Sequence, residues 1–72
     1  MTSDAGSVAT VDTRGMRCPW PALRLARAMR SDAAVILLAD DPQAGREIAA
    51  LAAEQGWSLA VETEERWLVR RS

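Results

Sequence analysis

Apolar and polar positions change period several times along the 72 residues, and each change marks an element. The stretch "VATVDT" (8–13) is short and rich in β-branched residues, and it predicts a strand. "RGMRC" then turns the chain through Gly15 into a helix over 19–30. At about 100° per residue, Ala22, Leu25, Ala26 and Met29 form the buried stripe of that helix, and Trp20, Arg24 and Arg27 fall nearly opposite, toward solvent. The aliphatic run "AAVILLA" (33–39) predicts a central strand. "DDP" follows, with an Asp as N-cap and Pro42 as the first residue of a second helix that ends at Gln55, where Gly56 supplies the stop. On that helix Ala44, Ile48, Leu51, Ala52 and Gln55 share a face, and Arg46 and Glu54 point away. "WSLAVE" and "WLVRR", joined across "TEER", close the chain as a hairpin.

The order βαβαββ predicts an α+β, two-layer sandwich, with two helices on one face of a four-stranded mixed sheet. Residues 1–7 are small and polar and are expected to form a disordered tail, leaving residues 8–72 as one domain.

Composition narrows the chemistry. With no His, Lys, Tyr or Phe, the chain cannot build a Cys-His or Ser-His dyad, a Schiff base or a His-ligated metal site. One cysteine makes neither an internal disulfide nor a zinc site, so no metal or cofactor is expected. Nine arginines against ten acidic residues leave a net charge of −1, which does not suggest direct nucleic-acid binding. No apolar run is long enough to span a bilayer, and the N-terminus does not resemble a signal peptide. The expectation is a cytoplasmic monomer whose single thiol stays free. Thiol chemistry at Cys18, carboxylate chemistry and plain binding remain.

Cys18 sits between Arg17 and Pro19, where the first helical pattern begins. With Pro19 as the first helical residue, Cys18 becomes the N-cap, facing the positive end of the helix dipole. Pro19 and Pro21 stiffen the turn and remove two donors, leaving the N–H of Trp20 as the sulfur's partner. Arg14 and Arg17 add positive charge, and Asp12 can pair with either. Together these predict a thiol pKa of roughly 7.5, against ~8.5 for a free cysteine. The alternative is a small buried structural cysteine, which has no need of such a frame. An exposed Trp20 beside Arg24 and Arg27 has the composition of a partner-docking surface; otherwise the indole folds back and covers apolar surface.

At these positions the chain resembles the TusA/SirA-like sulfur-carrier proteins. Their pattern is an Asp, a Gly three residues on, then Cys-Pro-x-Pro opening a helix, matched by Asp12, Gly15, Cys18, Pro19 and Pro21, with Arg14 at a commonly basic place. Asp40, Asp41 and Pro42 match the family's Asp-Asp-Pro, and Glu47-Ile48 stands where Asp-Ile is usual. Trp20 is bulkier than the residue often found between the prolines, Trp57 replaces a common histidine, and Arg24 and Arg27 stand where lysines are frequent. The resemblance implies that Cys18 accepts sulfur as a persulfide from a cysteine desulfurase or other donor protein and relays it to an acceptor protein. Asp12, Gly15, Pro19 and Pro21 would then shape its turn, Arg14 and Arg17 would support the thiolate, and Trp20, Arg24 and Arg27 would dock partners. A protein-interaction or regulatory module of the same fold is the runner-up, and a redox-sensing thiol, which lacks a resolving cysteine here, is the third reading.

Overall fold

A computed structural model describes residues 8–71, and the expected tail over 1–7 lies outside them. The elements run β1 (Ala9–Asp12), α1 (Trp20–Ala28), β2 (Ala34–Leu38), α2 (Ala44–Gln55), β3 (Ser58–Thr63) and β4 (Arg66–Arg70). The sheet order is β1-β2-β4-β3. β1 pairs parallel to β2 through the crossover helix α1, and β4 pairs antiparallel to both β2 and β3. This is the α+β sandwich that the βαβαββ pattern implies.

Strand alternation sets the layers. Val35 and Leu37 of β2 and Trp67 and Val69 of β4 point to one face, where they meet Leu25 of α1, Met29 at its C-terminal cap, and Ala44 and Ile48 of α2. The intervening Ile36, Leu38 and Leu68 lie on the opposite face and are half-buried. The expected stripe of α1 is corrected in detail: Leu25 and Met29 are buried with Pro21, whereas Ala22 and Ala26 are only half-buried. On α2, Ala44, Ile48 and Ala52 are buried and Leu51 half-buried, but Gln55 is exposed, because it lies in the last turn.

Both helices start later than the sequence suggests. Pro19 occupies the cap of α1, and the first helical residue is Trp20. Gln43 occupies the cap of α2, so that Pro42 precedes the helix and Asp41 stands two residues before the cap. The reason is visible in the bonds: a turn closes before each helix, Trp20 N–H donating to Arg17 O at 2.9 Å and Ala44 N–H to Asp41 O at 2.9 Å. At the other end of α2, Gly56 takes φ +75°, and the Trp57 N–H reaches the Ala52 carbonyl at 2.9 Å, as expected of a left-handed glycine stop. The hairpin turns at residues 64 and 65, and its ladder shifts register between Val61 and Thr63. Two-residue turns without left-handed residues fit strand twist poorly, and the bulge absorbs the mismatch.

Candidate functional site

β1 delivers the chain to the site. Its alternation continues one residue past the strand, turning Thr13 inward, where it is fully buried. Thr13 N–H and its hydroxyl both donate to the Leu38 carbonyl, each at 2.7 Å, which fixes the start of the loop on β2. A tight turn follows, with Met16 N–H on Thr13 O at 3.0 Å and Gly15 at φ +89°, a conformation that a side chain disfavours. Asp12 and Arg14 brace the outside of this turn. The Asp12 carboxylate accepts the Arg14 N–H at 3.0 Å and a two-pronged guanidinium contact at 3.0 and 2.8 Å. That pairing holds the Asp12 carboxyl down to about 2.

Two aspartates from the β2–α2 loop then staple the Cys18 loop. Gly15 N–H donates to Asp40 Oδ1 at 2.9 Å, and Cys18 N–H donates to Asp41 Oδ2 at 2.5 Å. The other Asp41 oxygen accepts the Gln43 N–H at 3.0 Å, so one carboxylate joins the entrances of both helices. Its two N–H donors hold the Asp41 carboxyl below its ordinary value, and the charge of Arg17 acts in the same direction. Gly15, Met16, Arg17, Asp40, Asp41 and Pro42 line an open cleft of about 460 Å³ between this loop and the β2–α2 loop. Among the described residues no three Cys, Asp or Glu side chains are arranged to hold a metal ion.

Cys18 is half-buried and its thiol is free. Two expectations about it are overturned. It is not the N-cap of α1, and the Trp20 N–H serves the Arg17 carbonyl rather than the sulfur. Nor is the thiol pKa lowered. Desolvation pushes it up, and the charge of Glu47, the charge of Asp41 and a hydrogen bond to Glu47 push in the same direction. The local cap argument missed this because both carboxylates arrive from beyond residue 40. Of the expected cations, Arg14 is engaged by Asp12, and Arg17 is exposed in the loop beside the sulfur.

The remaining site residues fall as follows. Pro19, at the cap, is exposed, and Pro21 is buried in the first turn of α1. Trp20 is 57% exposed, and Arg24 and Arg27 are exposed on the same helix. The two arginines also line a cleft with Val11, Ala28 and Ser31 at the β1 side of α1. Thr13 and the carboxylate contacts at Cys18 were not anticipated. Extending the β1 alternation would have flagged Thr13, whereas nothing local marks Asp41 or Glu47 as neighbours of the thiol.

The arrangement is that of a small α+β domain presenting one thiol on a loop stapled to the start of its second helix. A family model described as Sulfurtransferase TusA matches residues 9–70, so the chain belongs to the TusA sulfurtransferase family. Members of that family serve sulfur transfer, which requires a donor and an acceptor of sulfur. No helix among the described residues is long and apolar enough to cross a membrane.

Proposed function

We propose that this protein is a sulfur carrier that takes up sulfur as a persulfide on Cys18 and hands it to a downstream acceptor protein. One observation carries the reading: the only thiol of a TusA-family chain is half-exposed on a braced loop at the mouth of α1. Sulfur exchange needs only a reachable sulfur nucleophile and a partner that brings a second one, and no other side chain here can hold the cargo. Asp12, Gly15, Pro19 and Pro21 shape the loop. Arg17 offers positive charge to an anionic persulfide, with Arg14 in reserve when its pairing with Asp12 opens. The exposed Trp20 with Arg24 and Arg27 forms the surface against which donor and acceptor dock, because a partner's sulfur must come into contact beside it. The reduced thiol suits a cytoplasmic setting.

Incubation with a cysteine desulfurase and cysteine is expected to add one sulfur atom, seen by intact mass and removed by reductant. Cys18→Ser is expected to abolish the gain while leaving the urea unfolding midpoint within error. A Ser variant that still gains sulfur would sink the proposal, and the interaction-module reading would follow if the wild-type chain gained none.

A further inference from the structure

The two edges of the sheet differ. Strand β3 forms one, and the register shift between Val61 and Thr63 breaks its ladder and blunts that edge for further pairing. Strand β1 forms the other, and its register with β2 runs unbroken from Ala9 opposite Val35 to Asp12 opposite Leu38. Half of its N–H and C=O groups point away from β2, and among the described residues none of these has a backbone partner on that side. An open cleft of about 560 Å³ lies between this strand and α1, with Val11 and Ala28 as its apolar lining and Arg24, Arg27 and Ser31 as its polar one. Neither arginine has an ion-pair or hydrogen-bond partner among the described residues. The one acid of β1, Asp12, does not offset them, since Arg14 holds it at 2.8 Å. Trp20, Arg24 and Arg27 follow at four and three residues and so form one exposed stripe along α1. From Trp20 to Arg27 the stripe covers about 10 Å, the length of about three residues of extended chain.

We propose that the β1 edge is the docking site for an acidic, extended segment of a partner protein, which adds to the sheet beside β1 and sets its carboxylates against Arg24 and Arg27. This rests on the carrier reading above and names the chemistry of the partner that its docking surface takes. Main-chain hydrogen bonds to β1 supply the affinity of such an added strand, and its side chains supply the selectivity. Alternation turns every second side chain of the segment toward α1, where an acid meets the arginines, and the others lie on the open face of the sheet beside Thr10. Charge selects this occupant. Two unpaired guanidinium groups repel a basic segment, and a second copy of this chain joined edge to edge through β1 would crowd both copies' arginine pairs along one seam. The stripe ends at Trp20, two residues from Cys18, so a partner held by this strand lies beside the thiol.

The probe is the peptide acetyl-Glu-Val-Glu-Val-Glu-amide, with acetyl-Lys-Val-Lys-Val-Lys-amide as its counterpart, each titrated to millimolar concentration into the isotope-labelled chain and followed by NMR. The acidic peptide is expected to shift the amide signals of Ala9–Asp12 and the side-chain N–H signals of Arg24 and Arg27. At saturation it should slow hydrogen exchange of the outward β1 amides, which contact with α1 alone would not do. Arg24→Gln with Arg27→Gln should weaken binding by about tenfold or more, as expected for the loss of charged hydrogen bonds. Arg46→Gln with Arg70→Gln removes the same charge from α2 and β4 and should leave binding within about threefold, because distant exposed charges are screened. All four arginines are exposed, so these variants are expected to fold, and the wild-type exchange data test the proposal without them. No binding of the acidic peptide overturns the proposal, as does equal binding of the basic one, a shift pattern centred on β3, or unchanged β1 exchange at saturation. Equal losses in the two double variants, or none in the first, overturn it as well. Loading of Cys18 by glutathione persulfide, a small donor that needs no docking surface, is followed on the same sample: its absence counts against the carrier reading, whereas the peptide data alone decide the β1 proposal.

Discussion

The two helix entrances of this protein use the same ingredients, an unhelical residue pair containing proline followed by an apolar stripe, and come out opposite in character. At α2, Asp41 satisfies the Gln43 N–H with its side chain and the Ala44 N–H with its carbonyl, and Glu47 places an acid in the first turn. At α1 no side chain caps the helix and no acid lies in the first turn; the exposed groups are Trp20, Leu23 and Arg24. The α2 entrance thus has carboxylate to spare, and it lends one oxygen of Asp41 to the backbone of Cys18. The comparison teaches that the environment of the thiol belongs to the neighbouring helix more than to its own. A dipole argument made on α1 alone gets the sign of the thiol shift wrong, since the helix terminus is worth only ~0.3–1 kcal/mol to an anion, while desolvation and two nearby carboxylates act against it.

If α1 contributes the docking surface and the loop ahead of it the thiol, damage to each should read out differently. The largest effect is expected from Trp20→Ala. Sulfur transfer from a protein donor should fall by tenfold or more, about 1.4 kcal/mol, with transfer from glutathione persulfide and the unfolding midpoint nearly unchanged. A lowered midpoint with normal transfer per folded molecule would make Trp20 a packing residue instead. Next comes the foundation of the Cys18 loop. Thr13→Val keeps the shape but removes the buried hydroxyl bond to Leu38 O, and about 1 kcal/mol of stability should be lost in urea unfolding, with sulfur loading retained. No loss would mean that the backbone N–H bond alone anchors the loop. The smallest effect concerns the outer brace. The Asp12 carboxyl sits at about 2 in the folded chain, below its ordinary value, so its stabilising contribution is complete above about pH 4 and is lost as pH falls through 2. Thermal midpoints of wild type and Asp12→Asn should therefore differ at neutral pH and converge toward pH 2; a gap independent of pH would show that the Arg14 pairing does not contribute through charge.

What local pattern can specify, it specified well here. Alternation in "AAVILLA" and the hairpin strands, and the 3.6-residue stripe of Leu25 and Met29, depend on which side of an element faces the core, and a single element carries that information. The same holds for Gly56, whose left-handed stop is decided within one turn, and for the exposure of Trp20, Arg24 and Arg27 opposite the stripe. The position of Cys18 just ahead of a helix was readable for the same reason, although its placement at the cap was one residue off, because the Arg17–Trp20 turn closes before the helix begins. The charge balance at the thiol could not be read that way. It depends on Asp41 and Glu47, which lie more than twenty residues along the chain and reach Cys18 only because β2 pairs beside β1 and α2 packs beside α1. Electrostatic energy follows distance in space, and only the packed sheet and helices convert a separation along the chain into that distance.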